Sequence, residues 1–99
     1  ANGQNIYPEE VEAVVNSQPY VQESVVVDRS ARLVALVYLD QDALRKAGLD
    51  QEAIADIPER IRINSDKQLP NYSQITKVEI VDQPFEKTPK MSIKRFLYK

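Results

Sequence analysis

The stretch YVQESVVVDRSARLVALVYL, Tyr20 to Leu39, decides how this chain folds. Val21, Val25, Val26 and Val27 make its first half apolar and β-branched, which reads as a strand from Tyr20 to Asp28. Asp28-Arg29-Ser30 is a polar break long enough for a hairpin. Leu33-Val34-Ala35-Leu36-Val37 is an unbroken apolar run, so the second strand, Arg32 to Leu39, is expected to be buried on both faces. Two strands joined by so short a break should pair antiparallel.

Helical signals flank this pair. Ile6-Tyr7 leads into Pro8-Glu9-Glu10, a helix start: the proline lacks a donor the first turn cannot use, and the acids face the positive end of the macrodipole. Val11, Val14 and Val15 then mark one buried face, with Glu9, Glu12 and Asn16 turned outward, and the helix should stop before Pro19. Beyond the strands, Asp40 to Gly48 and Asp50 to Ala55 read as short helices, with Gly48 as a C-cap and Asp50 as an N-cap. Asp56-Ile57-Pro58 restarts the pattern as a further helix ending before Pro70. Asn71 to Gln74 is a loop, and Thr76 to Asp82 a third strand with Val78 and Ile80 on one face. The expected fold class is α+β: a small, mainly antiparallel three-stranded sheet flanked by helices, with a short N-terminal turn at Asn2-Gly3.

The totals exclude several chemistries. Ninety-nine residues make one small domain, with a formal net charge of −2 that does not mark a bulk polyanion binder. There is no cysteine and no histidine. Disulfides, thiolate sites, imidazole ligands and a Ser–His triad are therefore excluded, and no metal site is expected. Neither glycine, Gly3 nor Gly48, belongs to a phosphate-cradling loop. The five tyrosines are spread along the chain and read as core or rim residues. No apolar run is long enough for a membrane span and no signal-peptide pattern appears, which is compatible with the cytoplasm. The chain opens on Ala1 directly before structured sequence, and we expect it to be a piece of something longer.

Charge concentrates in one place. Phe85-Glu86-Lys87-Thr88-Pro89-Lys90-Met91-Ser92-Ile93-Lys94-Arg95-Phe96 carries Lys87, Lys90, Lys94 and Arg95, with Lys99 beyond. It reads as a cationic loop running into a last helical turn, pinned by Phe85, Ile93 and Phe96. Such a loop on a rigid scaffold can meet phosphate or carboxylate, or it can be a solvated basic tail.

The two ends together resemble a family. Gly3-Gln4-Asn5-Ile6-Tyr7-Pro8-Glu9-Glu10-Val11-Glu12 is similar to the G-x-N-I-x-P-x-E-[IV]-E segment of the adenylate-forming enzymes: acyl- and aryl-CoA synthetases, peptide-synthetase adenylation domains and luciferases. Leu69-Pro70-Asn71-Tyr72 resembles their L-P-x-Y. Lys87-Thr88-Pro89 through Ile93-Lys94-Arg95 resembles their closing P-K-T-x-x-G-K-I-x-R. The resemblance spans residues 1–99, as the C-terminal lid domain alone, and the Phe85 to Pro89 wording is most like long-chain fatty acid–CoA ligases.

That resemblance implies an ATP-dependent ligase that turns fatty acid, ATP and CoA into acyl-CoA, AMP and pyrophosphate. Its own N-terminal large domain would be the lid's partner and would hold ATP, Mg2+ and the fatty acid. The lid would close once for adenylation, presenting the closing-motif lysine, then rotate and present the glycine turn to CoA. Gly3, Gln4 and Asn5 would lie near CoA or nucleotide. The alignment sets Ser92 at the catalytic lysine and Met91 at the usual glycine, leaving Lys90 and Lys94 as possible substitutes. The parent is expected in the cytoplasm, free or peripheral to the membrane. The rival reading is a non-catalytic interaction module of the same fold, marked by Ser92. Nucleic acid is not an expected partner: the remainder is acidic and has no aromatic stacking face.

Overall fold

The computed structural model describes residues 7–30, 32–94 and 97–98. Among these the chain forms, in order, α1 (Pro8–Asn16), β1 (Val21–Arg29), β2 (Arg32–Leu39), α2 (Gln41–Ala47), α3 (Gln51–Asp66), a 3-10 turn (Asn71–Ser73) and β3 (Ile75–Val81). The α+β class expected from the sequence is the fold observed.

β2 is the central strand of a three-stranded sheet. It pairs antiparallel with β1, Val26 opposite Ala35. The two-residue connection begins with Ser30 at φ 55°, the left-handed conformation that hairpin turns of this length require. β2 and β3 are parallel, Val37 opposite Ile80. The sheet is therefore mixed rather than mainly antiparallel. The physical reason is the crossover: α2 and α3 carry the chain back to the end where β2 starts before β3 begins, as a parallel pair demands.

Alternation along the strands divides the sheet into two cores. Val26, Leu33, Ala35, Val37, Leu39, Ile75 and Val78 face the helices and pack with Val11 and Val15 of α1 and Ile57 and Ile61 of α3. On the opposite face, Val25, Val27, Val34 and Leu36 pack under Phe85, with Tyr38, Val81, Ile93 and Tyr98 at the margin.

Two helical details differ from the sequence reading. α3 is one continuous helix through Pro58, not two pieces broken near Asp56. An interior proline costs about 3 kcal/mol, but burying Ile57 and Ile61, each worth about 1.5–3 kcal/mol, outweighs it. Glu12 is not on the surface: it is 6% exposed and its Oε2 accepts a 2.7 Å hydrogen bond from the Val26 amide. One turn later, Asn16 Oδ1 accepts from Ser24 Oγ at 2.7 Å. The polar side of α1 thus satisfies groups along the outer edge of β1. The caps at Asp40 and Asp50 and the left-handed Gly48 are as expected.

Asp66 fastens the end of α3 to the start of β3, its Oδ1 accepting from the Ile75 amide at 2.8 Å. Burial raises its pKa above 3.8, against the opposing pull of the Ile75 amide and of Arg62 at 3.6 Å. A raised native pKa means that the folded state holds this proton more tightly than the unfolded chain. Its stabilising contribution is full below 3.8 and is lost as pH rises through the native value. Asp66→Asn keeps an acceptor for Ile75 without the charge. It should be at least as stable as the wild type at neutral pH, with the difference closing below pH 3.8; urea unfolding in both ranges checks this.

Candidate functional site

The cationic segment is not an irregular loop. It is a small hairpin, closed by an antiparallel bridge between Lys87 and Ile93. Thr88 N–H donates to the Ser92 carbonyl at 2.7 Å, and Lys94 N–H to the Glu86 carbonyl at 2.8 Å. The reversal is the turn Thr88-Pro89-Lys90-Met91, in which Met91 N–H donates to the Thr88 carbonyl at 2.8 Å. Pro89 fits here because the second position of a turn needs no donor and favours its fixed φ. The Ser92 amide also reaches Thr88 Oγ1 at 3.3 Å. The sequence hid this hairpin because each arm is too short to show alternation.

Met91 ends the turn at φ 66°. That left-handed position is where hairpins of this kind take glycine, which explains the glycine in the motif this segment resembles. Methionine tolerates it at a steric cost while its side chain stays 73% exposed.

The first arm is fixed to the sheet. Phe85 is 3% exposed over Val25, Val27, Val34 and Leu36. Its ring meets Tyr98 edge-on at 5.0 Å between centroids, and Tyr98 Oη accepts from the Glu86 amide at 2.7 Å. Glu23 of β1 accepts from the Phe85 amide at 2.8 Å and from Lys87 Nζ at 2.7 Å.

These contacts sort the lysines. Lys87 Nζ lies against both Glu23 oxygens and donates to the Phe85 carbonyl at 3.2 Å, so its charge is spent inside the fold. Lys90 stands exposed at the turn, and Ser92 is exposed on the second arm. Ile93 turns inward with the Phe85 core, so alternation sends Ser92 and Lys94 to the outward side. Among the described residues, neither Lys90 nor Lys94 forms an ion pair. The structure therefore exposes Lys90 and Ser92 at the tip, while Lys94 is half-buried at the base of the second arm, its amide held by the Glu86 carbonyl. Gly3, Gln4 and Asn5 lie outside the described residues, as do Arg95, Phe96 and Lys99. No group of three or more carboxylates among the described residues fits a metal ion.

Residues 1–98 match the family described as AMP-binding enzyme C-terminal domain. The chain belongs to that family. Among solved structures it is similar to an acyl-CoA synthetase from Brucella canis, at 27% identity and TM-score 0.70, covering 96% of this chain and 17% of that one. A fatty acyl CoA synthetase from Mycobacterium tuberculosis matches at 22% identity and TM-score 0.68 over 96% of this chain and 17% of that one. O-succinylbenzoate coenzyme A synthetase from Bacillus subtilis matches at 22% and 0.70 over 97% and 18%. The chain thus spans less than a fifth of each of these structures. No curated protein matches it.

Glu23 was not singled out from the sequence, although a signal existed. It shares strand parity with Val25 and Val27, and an acid on an apolar face needs a cation or donors to meet it. The Met91 conformation supplies a test of the tip. Met91→Gly should cost no stability and gain up to about 1 kcal/mol, whereas Met91→Val, β-branched at positive φ, should lose about 1 kcal/mol or more. Denaturant midpoints of the three chains check this order.

Proposed function

We propose that residues 1–99 form the mobile C-terminal lid of an ATP-dependent acyl-CoA ligase of the cytoplasm, a partner to its own N-terminal large domain. The observation that carries this reading is the exposed hairpin tip bearing Lys90 and Ser92, with Lys94 further down the second arm, in a chain of this family. In this reading the large domain binds ATP, Mg2+ and the carboxylic acid, and CoA accepts the acyl group. The lid closes first so that the tip enters the adenylation site, and then rotates for thioester formation. Any membrane contact of the ligase is peripheral.

A cation at the tip has a definite task. As the substrate carboxylate attacks the α-phosphate, negative charge gathers between them. A lysine held there stabilises that charge, and does so only when the lid is shut. Ser92 is neutral and cannot supply this. Lys90 is our candidate substitute: it stands at the turn, with no ion pair among the described residues to restrain it. Lys94 is the alternative, on the same outward side as Ser92 but nearer the base of the hairpin. Its backbone amide is tied to Glu86.

A fatty acid is the proposed substrate. The Phe85-Glu86-Lys87-Thr88-Pro89 wording supports it, as does the likeness to a fatty acyl CoA synthetase. The likeness to a succinylbenzoate enzyme keeps the acid's identity a matter for the large domain. A second reading, a non-catalytic interaction module, is favoured by the one observation of a serine at the lysine position.

ATP–pyrophosphate exchange with a panel of fatty acids, in the full-length ligase, separates them. The wild type should exchange, Ser92→Lys should change little, and Lys90→Ala should slow exchange by about a hundredfold or more. A full rate in Lys90→Ala with loss in Lys94→Ala would move the role to Lys94. No wild-type exchange, with activity appearing in Ser92→Lys, would overturn the ligase reading in favour of the module.

A further inference from the structure

We infer that Glu23 is the positioning residue of the hairpin tip: it sets where Lys90 and Ser92 stand by gripping the first arm at Phe85 and Lys87. This rests on the tip being the part of the lid that enters the adenylation site.

The geometry begins with an irregularity in β1. The pairing of β1 with β2 shifts between Val21 and Glu23, leaving Gln22 without a partner opposite Leu39 and Tyr38. A bulge of this kind re-aims the side chain beside it. Beyond it, Glu23 shares the parity of Val25 and Val27, and its carboxylate lies on the sheet face that Phe85 covers. Only 13% of the Glu23 side chain and 27% of the Lys87 side chain are exposed. Water therefore screens the pair weakly, and charge-assisted bonds there are stronger than neutral ones.

One carboxylate makes three contacts on the arm. Oε2 accepts from the Phe85 amide at 2.8 Å and from Lys87 Nζ at 3.2 Å, and Oε1 lies 2.7 Å from Lys87 Nζ. These fix a backbone point and a side chain two residues apart, so they restrain direction as well as position. The turn begins one residue after Lys87. The second arm reaches the sheet through Ile93 and is otherwise hydrogen-bonded to the first. The Phe85 ring supplies adhesion without direction, since apolar contact is not directional, and Tyr98 Oη adds a single bond at the Glu86 amide, where Glu23 holds two residues of the arm.

Two readouts test this separately. Amide hydrogen exchange on the whole chain compares Glu23→Ala and Glu23→Gln with the wild type. In Glu23→Ala the Phe85, Thr88, Ser92 and Lys94 amides should exchange about tenfold faster or more, with β2 amides changing by less than about threefold. Glu23→Gln, which keeps an acceptor for Phe85, should fall between, and it serves alone if the alanine variant does not fold. In the full-length ligase, Glu23→Ala should slow ATP–pyrophosphate exchange by about tenfold or more. Thioester formation from supplied acyl adenylate should stay within about twofold of wild type. Unchanged hairpin protection, equal loss of protection in hairpin and β2, or equal loss of both half-reactions would overturn the inference. A wild-type ligase that does not adenylate counts against the proposed function instead, and the amide exchange still judges Glu23.

Discussion

The constraint on which the structure depends is that β2 is apolar on both faces. A strand reading Leu33-Val34-Ala35-Leu36-Val37 exposes hydrocarbon on whichever side is left open. α1 and α3 cover one side with Val11, Val15, Ile57 and Ile61. No helix among the described residues covers the other. That task falls to the segment after β3, through Phe85, Ile93 and Tyr98. The cationic hairpin therefore sits against the sheet because β2 requires a second cover.

The two covers are unequal. The helical side is a broad core with cross-links at Glu12, Asn16 and Asp66. The hairpin side has one fully buried aromatic residue and a handful of polar bonds. Small covers open at lower free energy than large ones. In the proposed lid, an element that presents charge to the large domain needs direction at its base and accessibility at its tip. Lys87 and Glu23 supply the first by neutralising each other under Phe85, and Lys90 and Ser92 have the second. Two lysines three residues apart in sequence thus have opposite surroundings.

The central hairpin, the caps of α2 and α3 and the double burial of β2 were legible in the sequence, because each rests on local chemistry: apolar runs, Asp40, Asp50 and Gly48. What was not legible depends on partners distant in sequence. The parallel pairing of β3 is set by the crossover and not by β3 itself. Glu12 reads as a surface acid until β1 brings the Val26 amide beside it. Pro58 looks like a helix break until Ile57 and Ile61 find the sheet. At the site, Lys90, Ser92 and Lys94 were singled out from the motif alone, and the positive φ of Met91 accounts for the glycine in that motif. The partner of Lys87 did not follow, since Glu23 lies 64 residues away.

The most direct measurement is a double-mutant cycle between Glu23 and Lys87, using Glu23→Gln, Lys87→Met and the double variant, with unfolding free energy as the readout. A part-buried, bidentate ion pair that fixes the hairpin to β1 predicts a coupling of about 1 kcal/mol or more. A coupling below about 0.3 kcal/mol, the level of an exposed pair, would mean that Phe85, Ile93 and Tyr98 hold the hairpin without the ion pair. That result would contradict the direction of the tip by Glu23.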